Sequence, residues 1–342
     1  MKLNPVIEEN YNFLLKKVDI EKYKNKTFLV TGSNGFIGSL FVTFLLFANQ
    51  KLNANIQVIS VNRHNNLDVW YALFEENDNL THIKSNIYDL KIDNHIDYIL
   101  HTASPTQSSY LREYFKETID SIINNTEQMI KLALKNNAFL INFSSMEVYG
   151  KFDDSFAENR KLIKENELGY LDLNNSRNSY PLAKRISEFL CNNVKELKYA
   201  NVRLAQVFGP GIKYTENKMY MQFIKQCINE NKISIHGTGK SSRNMIYSTD
   251  MMFAIFKILD SHLYGTINVA NENMFNSIYE FAKYVAKFIG NENTKIEVLN
   301  LSNLNYLEDV YLNLDTSLLK STGWQPYFNY EQSLKNIVKS FN

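Results

Sequence analysis

Two cysteines, Cys191 and Cys227, are all that the 342 residues contain. That is too few for a disulfide framework, and neither has a second cysteine or a histidine at metal-ligand spacing. Both are read as ordinary thiols of a reducing compartment, and no metal is expected. A net charge is also lacking, because 37 lysines and arginines stand against 36 aspartates and glutamates. Without a field of one sign, nothing draws in nucleic acid or a membrane surface, and an anionic ligand has to be met by local groups. The opening stretch, "MKLNPVIEENYNFLLKKVDIEKYKNK", carries charges throughout and has no apolar core of the signal-peptide kind. It reads as a short amphipathic lead-in helix, and the expected location is the cytoplasm. Repeats, low-complexity tracts and Pro/Ser linkers are missing too, which implies one folded unit.

Charge is absent altogether from Thr27 to Gln50, a length that could span a bilayer. However, "GSNGFIG" sits in the middle, and a glycine-rich turn there would present backbone groups to lipid. A buried strand, a tight turn and a buried helix fit instead. The same rhythm continues. Apolar runs at 27–31, 56–61, 81–85, 97–102, 139–144 and 201–205 read as strands, with helix-length segments at 36–48, 118–136 and 179–197. Strand and helix in alternation predict an α/β fold, a doubly wound parallel sheet of the Rossmann type. After about residue 205 the rhythm loosens into helices at 218–230, 248–260, 276–289 and 330–340 and a short strand at 233–235. The division expected is a dinucleotide-binding domain over 1–205 and a smaller substrate-binding lobe over 206–342, with 240–270 partly returning to the first.

In "TFLVTGSNGFIGSLFVTFLL", Gly32, Gly35 and Gly38 follow the first strand and open a helix. That arrangement turns the backbone sharply and brings a helix N-terminus to a pyrophosphate, with Asn34, Phe36 and Ile37 in the same turn. The second strand ends in "VISVNRH". A carboxylate there would bond the adenosine ribose of NAD, whereas Asn62 and Arg63 suit a 2′-phosphate. NADP(H) is therefore favoured, with NAD(H) as the alternative and a solvated arginine as the plain reading of Arg63.

Tyr180 and Lys184, in "RNSYPLAKRISEFL", are four apart and share one helix face, and Pro181 is tolerable because the helix is only starting. A cation beside a phenol favours the phenolate and would lower the tyrosine toward neutrality, fitting it for general acid/base work. With "TGSNGFIG", "HTASP", "FSSMEVYG", "YPLAK", "RLAQVFGPG" and "GTGKSSRNMIYSTD", in that order across 27–270, the chain resembles the extended short-chain dehydrogenase/reductase family of nucleotide-sugar enzymes. The resemblance implies Ser145 as the hydroxyl on the reacting sugar oxygen, Tyr180 as acid/base, and Lys184 as its tuner and ribose holder. It also implies Asn86 and Ile87 at the adenine, Thr102, Ala103 and Ser104 along the cofactor, and Ser104, Pro105, Met146, Arg177 and Gln206 near the substrate. Arg243 falls where an arginine meets the sugar nucleotide's diphosphate. Glu147 matches a glutamate of UDP-glucuronate decarboxylases and sugar 4,6-dehydratases. Met146 stands where the dehydratases place a proton-donating aspartate, which counts against that reaction.

The resemblance is strongest to UDP-glucuronate decarboxylases. An NADPH-dependent reductase making an alditol from a nucleotide-linked (for example CDP-) ketose for capsule or cell-wall polysaccharide, a 4-epimerase and a non-catalytic NAD(P)-binding protein remain alternatives. Relatives of this kind commonly pair as homodimers through helices like those at 110–135 and 179–197. From Asn62 and Arg63 the expected outcome is a lower dissociation constant for NADPH than for NADH, and a clear NADH preference would reverse the assignment.

Overall fold

The computed structural model describes residues 3–63, 77–299 and 309–341. In chain order these form α1 (Pro5–Leu15), β1 (Thr27–Thr31), α2 (Phe36–Leu52), β2 (Gln57–Asn62), β3 (Leu80–Lys84), β4 (Tyr98–His101), α3 (Ser108–Glu113), α4 (Phe115–Asn136) and β5 (Phe139–Ser145). There follow α5 (Asp154–Glu158), α6 (Ser179–Asn193), β6 (Lys198–Leu204), β7 (Gln206–Phe208), α7 (Met219–Glu230), β8 (Lys232–His236) and β9 (Ser242–Tyr247). The chain ends in α8 (Ser248–Asp260), β10 (Gly265–Val269), β11 (Asn271–Ser277), α9 (Ile278–Ile289), β12 (Lys295–Leu299), β13 (Tyr311–Leu312), α10 (Ser317–Lys320) and α11 (Tyr330–Lys339).

The centre is a seven-stranded sheet in the order β3-β2-β1-β4-β5-β6-β10, parallel at every junction. Its inner strands are apolar without interruption because helices cover both faces. Phe28, Leu29 and Val30 of β1 and Ile99 and Leu100 of β4 are fully buried. The charge-free run resolves as expected into β1, a turn and α2, whose Phe41, Phe44, Leu45 and Leu46 are wholly covered. No helix among the described residues is long and apolar enough to cross a membrane.

The rest departs from the expectation in its strands. Gly265–Val269, which the sequence does not mark as a strand, pairs with β6 and carries the sheet one strand further. Beyond it, β11, β9 and β13, with β7 beside β9, make a second sheet of four strands, and β8 pairs with β12. Residues such as "NENMFNS" lack apolar alternation, and their strand character comes from pairing partners far away in sequence.

One buried charge cluster locks the elements that carry the site. The Glu188 carboxylate on α6 accepts bonds from Arg203 Nε and Nη2, the latter at 2.7 Å, and from the Ser144 hydroxyl at the end of β5. Arg203 also donates to the Glu165 carbonyl and lies 4.8 Å from the Tyr149 ring. The Tyr149 hydroxyl donates to Asn268 of β10 at 2.6 Å. Both charges are deeply shielded, their side chains 6% and 5% exposed. Removing one partner strands the other in low dielectric, so Glu188→Gln is expected to cost about 3–5 kcal/mol in denaturant unfolding.

Candidate active site

The sheet order reverses between β1 and β4, and the crevice of a doubly wound fold opens there. Gly32 adopts φ +64°, and a Cβ on it would lie 2.7 Å from the Ala103 Cα. A Cβ on Gly38 would lie 2.4 Å from the Gly32 carbonyl oxygen. Both positions therefore require glycine, and together they lay the N-terminus of α2 against the strand ends. Gly35 caps α2 without a side-chain bond, so the first-turn amides of Phe36, Ile37 and Gly38 keep their donors for a ligand. This cradle fits a dinucleotide pyrophosphate. Asn34 stands in the same turn. Thr102 donates to the Thr31 carbonyl at 2.6 Å, and the Ala103 amide reaches the Thr31 hydroxyl, which fixes the opposite wall. Asn62 is buried and donates to Ser33 of the turn at 3.3 Å, while Arg63 follows it exposed. Asn86 is exposed at the end of β3, and Ile87 is buried beneath it.

Beside this crevice lies a cleft of about 950 Å³ lined by Glu147, Arg177, Gln206, Lys218 and Arg243, among others. Thr106, just past Ser104 and Pro105, forms part of its wall. Ser145 caps the short turn Met146–Tyr149 by accepting the Glu147 amide at 3.2 Å. Tyr180 opens α6, flanked in sequence by the cleft residues Asn178 and Pro181, and is 8% exposed.

One expectation needs correcting. It is that Lys184 lowers the Tyr180 phenol. Burial pushes it upward instead and the Glu147 charge adds to the rise, opposed by the Ser145 hydroxyl, the Arg177 charge and the Ser104 hydroxyl. The Ser104 contact is a weak one, since its buried oxygen makes no hydrogen bond of full geometry among the described residues. Lys184 stands 5.9 Å from the Tyr180 ring, but its ammonium donates to the Phe143 carbonyl at 2.6 Å. Burial brings Lys184 itself down to about 8, against upward pulls from Glu188 and Cys191. Arg177, expected near the substrate, lines the cleft. It is 5% exposed and gives its Nη2 to both Glu147 oxygens, at 3.0 and 2.9 Å. Met146 is buried in the main hydrophobic cluster with Phe143 and Val148.

Arg243 is placed differently from Arg177, the other arginine lining the cleft. It makes no ion pair among the described residues, and its Nε is shielded and without a partner there. Burial lowers its pKa and so does Arg177, while Glu147 raises it. Sequence reasoning missed Lys218, which caps α7 at the cleft wall, and the Glu188–Arg203 lock. Glu188 could have been found, since it lies one turn past Lys184 on the same face. His101, at the end of β4, bonds Thr31 at 2.8 Å and is held neutral by burial and by Lys184.

The fold and these groups define a dinucleotide-binding enzyme of the doubly wound class with an adjoining anion-ready cleft. The chain belongs to the NAD dependent epimerase/dehydratase family, whose model matches residues 28–270. It is 24% identical over 324 residues to UDP-glucuronic acid decarboxylase 1 of Xenopus tropicalis, covering 92% of this chain and 72% of that protein. It also resembles the UDP-N-acetylglucosamine 4-epimerase of Methanobrevibacter ruminantium, solved in complex with UDP-N-acetylmuramic acid. That match has a TM-score of 0.76 at 23% identity and covers 93% and 98% of the two chains. The dTDP-glucose 4,6-dehydratase DesIV of Streptomyces venezuelae, solved with NAD, superposes with a TM-score of 0.75 at 17% identity, covering 92% and 96%.

Lys184 yields a test of the site's energetics. Its folded value, about 8, lies below the ordinary 10.5, so the unfolded chain holds the proton more tightly. Stability should therefore rise with pH between those values and carry the whole penalty below pH 8. Lys184→Met is expected to unfold at higher denaturant at pH 7, by on the order of 2 kcal/mol, with the gain fading toward pH 10.

Proposed function

We propose that this chain acts on a nucleotide-linked sugar with an NAD(P) cofactor, and that decarboxylation of a UDP-uronate is its reaction. The observation that carries this reading is the placement of Ser145, Glu147 and Tyr180 beside one another at a cleft that Glu147 lines together with Arg243, which has no ion pair among the described residues. The first-turn amides of α2 and Lys184 would hold the cofactor, whose chemistry there would be reversible hydride exchange with a sugar carbon, usually C4, without net consumption.

Tyr180 would move the proton paired with that hydride, and the Ser145 hydroxyl would hold the same sugar oxygen. A phenol kept high by burial holds its proton until the site is charged by ligands, so its ionisation depends on positive charge arriving nearby. Lys184, whose ammonium already points at the strand end carrying Ser145, would supply part of that charge and hold the nicotinamide ribose. Glu147 would steer a proton beside the transient ketone, the state in which carboxylate loss becomes feasible. Arg243 would take the diphosphate. Met146, apolar and buried, supports the exclusion of a 4,6-dehydratase. Exposed Phe115 of α4 and Ile186 and Phe189 of α6 support pairing of two copies through these helices.

A second reading, net reduction of a nucleotide-linked ketose by NADPH, is favoured by Arg63 exposed at the end of β2, where NAD binders of this fold carry a carboxylate. One experiment separates the two: mass analysis of molecules retained by the purified protein and of its solution mass, then UDP- and CDP-sugars with both cofactors. Retained cofactor, a dimer mass, and carbon dioxide with a pentose product at constant NADPH are expected, and Tyr180→Phe should lower kcat by about 10²–10⁴. Steady NADPH loss without carbon dioxide would select the reductase.

A further inference from the structure

Arg177 poses a physical problem of its own. It belongs to the short turn Ser176–Asn178 that leads into α6, and 5% of its surface is exposed. Its Nε is shielded from solvent and has no acceptor among the described residues, so a ligand in the cleft does not reach that edge. A guanidinium so deeply placed is costly unless an opposite charge compensates it. The compensation is Glu147, held by Nη2 at 2.9 and 3.0 Å. Exposure divides the pair unequally, 7% for the arginine side chain and 33% for the glutamate. Both line the cleft, with Glu147 presenting the larger exposed part and most of the Arg177 side chain packed behind it.

The pair also borders the acid/base group. Arg177 Cζ is 6.0 Å from the Tyr180 ring, and the Glu147 amide is bonded to Ser145. The groups facing the phenol are Ser145 and Glu147 from the turn after β5, Ser104 from the strand end, Arg177 from the turn before α6, Lys184 from α6 and Tyr110 from α3. Arg243 of β9 acts on them at one remove, through the charges of Glu147 and Arg177.

We propose that Arg177 is a positioning residue that clamps the Glu147 carboxylate at the sugar end of the cleft and acts on the reaction only through it. This rests on the function proposed above. A carboxylate gripped through both oxygens presents one orientation to the substrate, whereas an unclamped glutamate samples several rotamers and leaves its charge uncompensated next to Tyr180. The two partners pull the phenol in opposite directions, Glu147 upward and Arg177 downward.

A double-mutant cycle on turnover decides the matter. Arg177→Gln is expected to lower kcat on the order of a hundredfold, with KM and cofactor affinity changed less than about threefold. Arg177→Lys should recover part of the loss. In the Glu147→Gln background, Arg177→Gln should cost nothing more, because the group through which it acts is already gone. The limb of the kcat–pH profile set by Tyr180 should move up in Arg177→Gln and down in Glu147→Gln, a pair of opposite shifts that mere loss of rigidity does not produce. Should Arg177→Gln fail to fold, the double variant, which buries neither charge alone, still answers by comparison with Glu147→Gln. Losses that multiply in the double variant, or an Arg177→Gln enzyme with unaltered kcat and profile, would overturn the role while leaving the function intact. An unsubstituted chain that turns over no nucleotide sugar would instead bring down the proposed function and this role with it.

Discussion

The reversal of strand order between β1 and β4 is the constraint on which the rest depends. Helices leave the two sides of that point in opposite directions, so the carboxyl ends of the strands face an opening that no helix fills. Everything chemically distinctive gathers on its rim: the glycine turn after β1, Thr102 to Pro105 after β4, Ser145 and Glu147 after β5, and Gln206 and Arg243 from the smaller sheet. The close contact between Gly32 and Ala103 is the local expression of this constraint, because side chains there would hold the two strand ends apart.

Around the rim, charge is handled by depth. Farthest in, Glu188 and Arg203 neutralise one another and tie α6 to β5 and β6, so the helix carrying Tyr180 and Lys184 cannot slide against the strand carrying Ser145. Nearer the surface, Arg177 and Glu147 form a second pair that is half open to the cleft. At the wall, Arg243 has no such partner among the described residues. The series runs from a satisfied structural pair, through a pair sharing its carboxylate with the cleft, to a cleft cation with no ion pair among the described residues. Desolvation gives each step its meaning, since a charge left unpaired is tolerable only where a ligand or water can reach it.

Much of the framework was legible in the residues. The strands that build the inner sheet are continuous apolar runs of five or so residues bounded by turn signals. A run of that length and kind suits a strand covered on both faces far better than an amphipathic helix. The glycine turn was equally plain, because its spacing is dictated by backbone geometry. Strand β10 and the sheet around β9 were not legible, since polar strands owe their form to pairing across long sequence distances. Among the site residues, Ser145, Glu147, Arg177 and Tyr180 lie beside one another and Arg243 lines the same cleft, whereas the pairing of Arg177 with Glu147 and the burial of Met146 did not follow from motif order. A motif states which residue stands at a position and is silent on whether its side chain faces the cleft or the core.

By itself the sequence determined the doubly wound class, the glycine cradle and the face of α6 shared by Tyr180 and Lys184, because local periodicity and backbone sterics suffice for each. Only the tertiary structure decided which charges are paired, which way Lys184 points and what the phenol's environment does to its proton. Those depend on burial and on partners contributed by distant segments, and an electrostatic free energy cannot be read until the dielectric and the neighbours around the charge are known.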